Sequence, residues 1–236
     1  VKRSIIIVLL VWQFLLTTFL TLGGIDNAKL GVMAKMLWGV NLLWIVLFGL
    51  ISLRSRDYVS KVGESTQKPL PLLFFLGATL MALLGEAVTT AMTNCAPIFG
   101  AEIGEVYITA SANYLDVVMF HSVVVFLPQY AILGWLLSRY AISPFAVFIC
   151  YGITGFIGEV MFSGPNPLML AQWILIYGLF VYLPAHLFVA SKDRKQMRWW
   201  MYPFLVVLPV IASIPMVALL LLVIAPGHPS IHFPPM

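Results

Sequence analysis

Charge is scarce in this chain. Only 9% of its 236 residues are Asp, Glu, Lys or Arg, while 61% are apolar and the mean hydropathy is +1.00. A soluble domain carries about a quarter charged residues, so a water-exposed globule is excluded and a polytopic membrane protein is expected. Cysteine is nearly absent: Cys95 and Cys150 are expected at different membrane depths, which argues against a disulfide. No N-x-S/T acceptor occurs. The chain also lacks G-x-S-x-G, a Walker loop and a G-x-G-x-x-G opening a βαβ unit, which removes the corresponding soluble-enzyme sites. No basic cluster is interleaved with aromatics, so nucleic acid is not an expected partner; the pI of 9.1 needs another cause.

That cause is the sidedness of the basic residues. Seven apolar stretches, about 4–22, 34–53, 70–92, 117–137, 144–162, 168–190 and 200–225, have roughly the length that helices need to cross about 30 Å of hydrocarbon. Threaded alternately, they put Lys2, Arg3, Arg54, Arg56, Lys61, Lys68, Arg139, Lys192, Arg194, Lys195 and Arg198 on the side of the N-terminus, and only Lys29 and Lys35 on the other. The positive-inside rule then predicts a cytoplasmic N-terminus and an external C-terminus. The expected fold is an all-α integral membrane protein, a seven-transmembrane-helix bundle forming one polytopic domain over residues 1–236, in the cell membrane. Lys192, Arg194, Lys195 and Arg198, followed by Trp199 and Trp200, suit anionic headgroups and the interfacial aromatic belt. The first stretch begins like a secretory signal. Its apolar body of about nineteen residues exceeds the usual 7–15 and no A-x-A-like site follows, so an uncleaved helix is expected.

Two acids break the pattern of charges in loops. Glu86 and Glu159 fall inside apolar spans, each about sixteen residues from the cytoplasmic start of its helix and so at similar depth in the outer half. A carboxylate at mid-helix costs about 2.5–3.5 kcal/mol on insertion scales and normally faces the bundle interior or a wet cavity. Their surroundings are alike: Gly77-Ala-Thr79 precedes Gly85-Glu86, and Gly152-Ile-Thr154 precedes Gly158-Glu159. Each is followed by a related hexapeptide, Val125 to Tyr130 and Val181 to His186, with Pro128 and Pro184 at the same place in it. This spacing describes a candidate tandem helical-hairpin repeat, helices three and four followed by five and six, the first copy carrying an additional loop. Parallel repeats place sites at the repeat interface in several transporter folds. The prolines should kink their helices and free the carbonyls of Val124 and Phe180. Pro128-Gln129 alone resembles the signature of the PQ-loop carriers, which repeat three helices where two repeat here; that family is not assigned.

Thr79, Thr89, Thr90 and Thr93 share one helical face with Glu86, and Asn94 ends it. This stripe reads as the wall of a cavity opening outward, against the alternative of hydroxyls bonded back to their own helix. The external segment from Thr93 to Asp116 holds three acids and no Lys or Arg, and its length suits either a lid or a solvated loop with a short interfacial helix. Asp116 and His121 follow at the mouth of the fourth span. The expected site therefore has Glu86 and Glu159 as its catalytic pair and Thr90, Asn94, Asp116 and His121 as substrate-binding residues. Gly152, Gly155 and Gly158 read as a close-packing face, and His186 as a hydrogen-bonded interfacial histidine.

No metal is expected. His121, Asp116, Cys95, His228 and His232 can all be placed outside, but prolines around the last two prevent a helix that would pair them, and no HExxH or Cys-x-x-Cys occurs. The cofactor is left unknown: no lysine lies in a late span to carry a Schiff base, and no histidine pair is placed to bind a haem. Three functional classes remain. An enzyme would take a lipid or isoprenoid from the outer leaflet and act on it by acid-base chemistry at the two glutamates. A carrier would bind a proton or cation there. An accessory subunit would pair its buried acids with partner membrane subunits. The partners are accordingly the lipid bilayer and either a hydrophobic small molecule or other membrane subunits. The inner halves of the spans are poor in polar groups, which disfavours a path through the membrane and favours the enzyme.

Overall fold

The computed structural model describes residues 1–191, 193–224 and 226. It contains seven helices long and apolar enough to cross a membrane: Lys2–Gly23, Ala28–Ser65, Leu70–Asn94, Ser122–Arg139, Pro144–Met161, Pro167–Phe188 and Trp199–Ile224, numbered here as the first to seventh spans. The chain is a multi-pass, all-α membrane protein built as a seven-helix bundle. Helices are the form in which an apolar chain satisfies its backbone within a single segment, as hydrocarbon requires. Leu15, Phe19, Leu47, Leu80, Ile211 and Leu222 point outward from the bundle, the contact surface for lipid.

Local sequence sets the ends of the spans. Asn27 caps the second by accepting from Leu30 N at 3.1 Å, and Ser143 caps the fifth by accepting from Ala146 N at 3.2 Å. Pro71 and Pro144 occupy first turns, where a missing N–H costs nothing. Gly164 closes the fifth span at φ 80°, a conformation that a side chain would strain.

The sixth span is the axis of the fold. In its most apolar stretch 61% of residues are buried within the protein, against 17% in the first span and 11% in the seventh. Trp44, Phe74, Tyr130, Tyr151, Phe180 and Phe188 fill the space around it. Gly152 lets the fifth span approach the sixth: a Cβ there would stand 2.7 Å from the Ile174 backbone. Gly155 similarly lies under the Tyr177 ring, so both follow the close-packing expectation, whereas a Cβ at Gly158 would meet nothing within 4 Å among the described residues.

Three expectations need correction. The second helix does not stop near 53 but continues to Ser65, so Arg54, Arg56, Asp57, Lys61 and Glu64 stand on a helical extension instead of a loop. No proline intervenes before Pro69 to end the helix, and Gly63 lets the extension rest on the Leu187 backbone. The fourth helix is not continuous from 117. It is a short helix, Tyr114–Phe120, then Ser122–Arg139, broken at His121, whose φ of −136° and ψ of −92° leave the helical region. His186 packs edge-on against the Tyr182 ring at 5.0 Å, and its buried Nε2 has no hydrogen-bond partner among the described residues. The helices run on through Pro128 and Pro184, and Gly77 of the third span sits against the Pro184 ring, at 3.3 Å from a would-be Cβ.

Arg194 also departs from its headgroup role. It turns inward, half-buried, and its guanidinium donates to the carbonyls of Leu137 and Tyr140 at 3.1 Å, of Ser191 at 3.3 Å, and of Phe188. A two-residue parallel pairing of Tyr140–Ala141 with Lys195–Gln196 completes this latch between the ends of the fourth and sixth spans. Lys192 lies outside the described residues.

Candidate functional site

Glu86 projects from the third span into the bundle and is 8% exposed. The preceding Gly85 makes room for aromatic rings: Phe180 Cζ and Trp44 Cζ2 lie 3.1 and 3.3 Å from the place a Cβ would take. Three hydroxyls surround the carboxyl group. Thr89 donates to Oε2 at 3.1 Å, and the side chains of Ser122 and Thr109 are close enough to act on it. Ser122 opens the main helix of the fourth span, and Thr109 belongs to the long loop before it.

The loop is therefore laid down onto Glu86. Its anchors are Ile108 N donating to Thr93 Oγ1 at 3.3 Å, Asn94 Nδ2 donating to Ala112 O at 2.8 Å, and the Tyr114 hydroxyl donating to Leu83 O at 2.9 Å. It contains two short helices, Ala96–Phe99 and Tyr114–Phe120. Lys29 and Lys35 tie it to the second span, the former by an ion pair with Glu105 at 3.7 Å and the latter by donating to Phe99 O at 3.1 Å.

Glu159, on the fifth span, is half-buried and accepts a hydrogen bond from the Tyr177 hydroxyl. Its charge acts on Glu86, and both carboxyl groups act on Tyr177. Tyr177 is held by the rings of Phe126 and Phe180, whose centroids lie 5.6 and 5.5 Å away. Farther along the fourth and fifth spans, the Tyr151 hydroxyl donates to Gln129 Oε1 at 2.8 Å, with the Tyr130 ring 5.6 Å from that of Tyr151. The buried Tyr130 hydroxyl lies beside Tyr151 without a hydrogen bond of ordinary geometry. Leu133, Leu137, Phe74 and Phe188 close the bundle beyond that point.

The expected threonine stripe divides by role. Thr79 bonds back to Phe75 O at 2.8 Å, Thr89 serves Glu86, Thr93 receives the loop, and the buried Thr90 hydroxyl has no hydrogen-bond partner among the described residues. Asn94 also donates to Thr90 O at 2.9 Å, so its amide pins the loop to the third span. Asp116 is half-buried in the first turn of the Tyr114–Phe120 helix. His121 stands at the break, its Nδ1 2.8 Å from Ser122 Oγ. Hollows also lie away from the glutamates: an open apolar groove of about 640 Å³ along Ile7, Trp12 and Phe19 of the first span, and one of about 250 Å³ between Gly24, Lys35 and Phe99.

Sequence reasoning missed Ser122, Thr109, Gln129, Tyr130, Tyr151 and Tyr177. It also missed a second polar centre, where Gln13 Nε2 donates to Asn41 Oδ1 at 2.9 Å and Gln172 Oε1 at 3.3 Å, and Asn41 Nδ2 donates to Thr17 Oγ1 at 2.8 Å. Amides within apolar spans were the available signal, since such groups must find partners in hydrocarbon. Cys95 and Cys150 are free thiols. Among the described residues no three His, Cys, Asp or Glu come together as metal ligands; His228 and His232 lie outside them. Comparison of the chain with protein-family models, with curated proteins and with solved structures finds no match.

Proposed function

We propose that this membrane protein is an enzyme that transfers protons on an apolar substrate of the lipid or isoprenoid class, with Glu86 and Glu159 as its acid-base pair. The observation that carries this reading is the inequivalence of two carboxyl groups in one polar-aromatic centre. Glu86 is enclosed by hydroxyls beneath the loop. Glu159 is half-buried and accepts a single hydrogen bond, from Tyr177, among the described residues. Neighbouring groups in different surroundings can hold different protonation states at one pH, which general acid-base catalysis requires. The rings of Phe126, Tyr177, Phe180 and Trp44 are close by. Their electron-rich faces suit the positive charge that develops when a carbon–carbon double bond is protonated. The polar groups stop at Gln129 and Tyr151 ahead of packed apolar side chains, which supports a dead-end site over the proton- or cation-coupled carrier. The basic bias of the chain further supports a cytoplasmic N-terminus in the cell membrane.

A second reading has its own observation. Each carboxyl group already has protein hydrogen-bond donors, as structural glue in an accessory subunit would. Glu86→Gln and Glu159→Gln separate the two, because the amide keeps hydrogen bonding but cannot transfer the proton. Lipid extracts of cells making each variant are compared by mass spectrometry with those of cells making the unaltered protein. The enzyme reading expects a species whose amount depends on the protein to fall by about a hundredfold in both variants, at equal accumulation in the membrane. Unchanged lipid profiles across all three proteins would leave the accessory-subunit reading in its place.

A further inference from the structure

The break in the fourth span aligns two side chains carrying exchangeable protons with Glu86. Neighbouring residues of a continuous helix do not face each other, so residues 121 and 122 of an unbroken span could not bond side chain to side chain. The non-helical backbone at His121 removes that restriction, and Nδ1 comes within 2.8 Å of Ser122 Oγ. The Ser122 side chain is in turn among the groups close enough to act on the Glu86 carboxyl group. Both residues of the pair are half-buried, whereas Glu86 is 8% exposed, so the row runs from a more accessible group to an enclosed one. Among the described residues the Thr89 hydroxyl bonds to the Glu86 carboxyl and to Glu86 O, both within the third span, so it offers no comparable route.

We propose that His121 and Ser122 form the proton entry to Glu86 from the loop-bearing face of the bundle. The inference rests on the reading of Glu86 as a proton-transfer group. In one step the imidazolium of His121 releases its Nδ1 proton to Ser122 Oγ while the Ser122 hydroxyl proton passes to the Glu86 carboxylate. One N–H and one O–H bond break, two O–H bonds form, and the imidazole is left neutral with its proton on Nε2; it regains the Nδ1 proton from hydronium when the ring turns away from Ser122, which resets the relay. Ser122 is unchanged at the end. His121 and Ser122 are thus positioning and relay residues for Glu86; neither needs to touch the substrate.

The test follows the Glu86 proton itself, in full-length protein reconstituted in lipid nanodiscs. The carboxylic C=O infrared band lost in E86Q identifies Glu86, and the downshift of that band on transfer to D2O gives its exchange rate. S122A and H121A should each slow exchange by about tenfold or more, S122T should restore it, and added imidazole should speed exchange in H121A but not in S122A. Exchange at the unaltered rate in H121A and S122A, or imidazole acting equally on both, would overturn the relay. So would the absence of a Glu86 carboxylic band at every pH at which the protein is folded. A relay that responds as expected while E86Q leaves the lipid profile intact would instead remove the enzymatic reading and leave the proton path standing.

Discussion

Replacing Arg194 with Ala tests the latch that holds the fourth span, and with it Ser122, Gln129 and Tyr130, against the sixth. The guanidinium donates to four backbone carbonyls, those of Leu137, Tyr140, Phe188 and Ser191. Two of these belong to the last turns of helices, where carbonyls lack partners and the macrodipole favours a cation. A hydrogen bond to a charged group contributes about 1.5–3 kcal/mol when buried, but Arg194 is only half-buried and water can reach some of the vacated carbonyls, so a net loss of about 2–4 kcal/mol follows. For a chain of this length each kcal/mol moves the melting temperature by about 2–4 °C, so R194A should melt about 5–15 °C lower in detergent. R194K should recover less than half of the loss, because an ammonium cannot present a planar fork to several carbonyls at once. The assay is thermal unfolding followed by tryptophan fluorescence. An R194A protein melting within about 1 °C of the unaltered one would refute the latch.

Gln13→Leu should loosen the contact of the first span with the second and sixth, leaving Asn41 Oδ1 and Gln172 Oε1 without their donor; a cost of about 1–2 kcal/mol is expected from chemical unfolding in mixed micelles. Gly152→Val should prevent accumulation of folded protein, because its Cβ would meet the Ile174 backbone at 2.7 Å, whereas Gly158→Ala should accumulate normally, its Cβ meeting nothing within 4 Å among the described residues; size-exclusion profiles of the two variants check the contrast. A tag after Met236 should be accessible from outside intact cells and a tag between 191 and 199 should not, as the basic bias predicts. Labelling of both tags from the same side would exclude the proposed orientation.

The spans were legible because hydropathy and length act on every residue of a helix at once, so an error at one position changes little. Their ends were less so. The extension to Ser65 carries the charges that mark a loop by composition, yet it is held by a contact with Leu187 that only the folded bundle supplies. The break at His121 was hidden for the opposite reason: the apolar residues on either side of it read as one span. Glu86 and Glu159 stood out because a carboxyl group in hydrocarbon is costly wherever it falls. Their partners did not, since a serine, a threonine or a tyrosine in a span becomes significant only when a residue tens of positions away is brought beside it. Ser122 with Glu86 and Tyr177 with Glu159 are such pairs.

The two polar centres together bear on why glutamate is present at all. In lipid, apolar burial does not pull helices together, and polar contacts specify which helices are neighbours. This protein meets that need with neutral groups: Gln13, Thr17, Asn41 and Gln172 join the first, second and sixth spans, and Gln129 with Tyr151 joins the fourth and fifth. Trp44 adds a bond to Ile176 O at 3.2 Å. All of these bring partners together without a carboxyl group in the membrane. A glutamine at 86 could accept from Thr89, and one at 159 could accept from Tyr177, at a smaller desolvation cost than a carboxylate, which is about 2.5–3.5 kcal/mol at mid-span. Packing therefore gives no reason for an acid at either place. The property that glutamate has and glutamine lacks is a proton that can be given up and taken back, and on that difference the proposed chemistry stands.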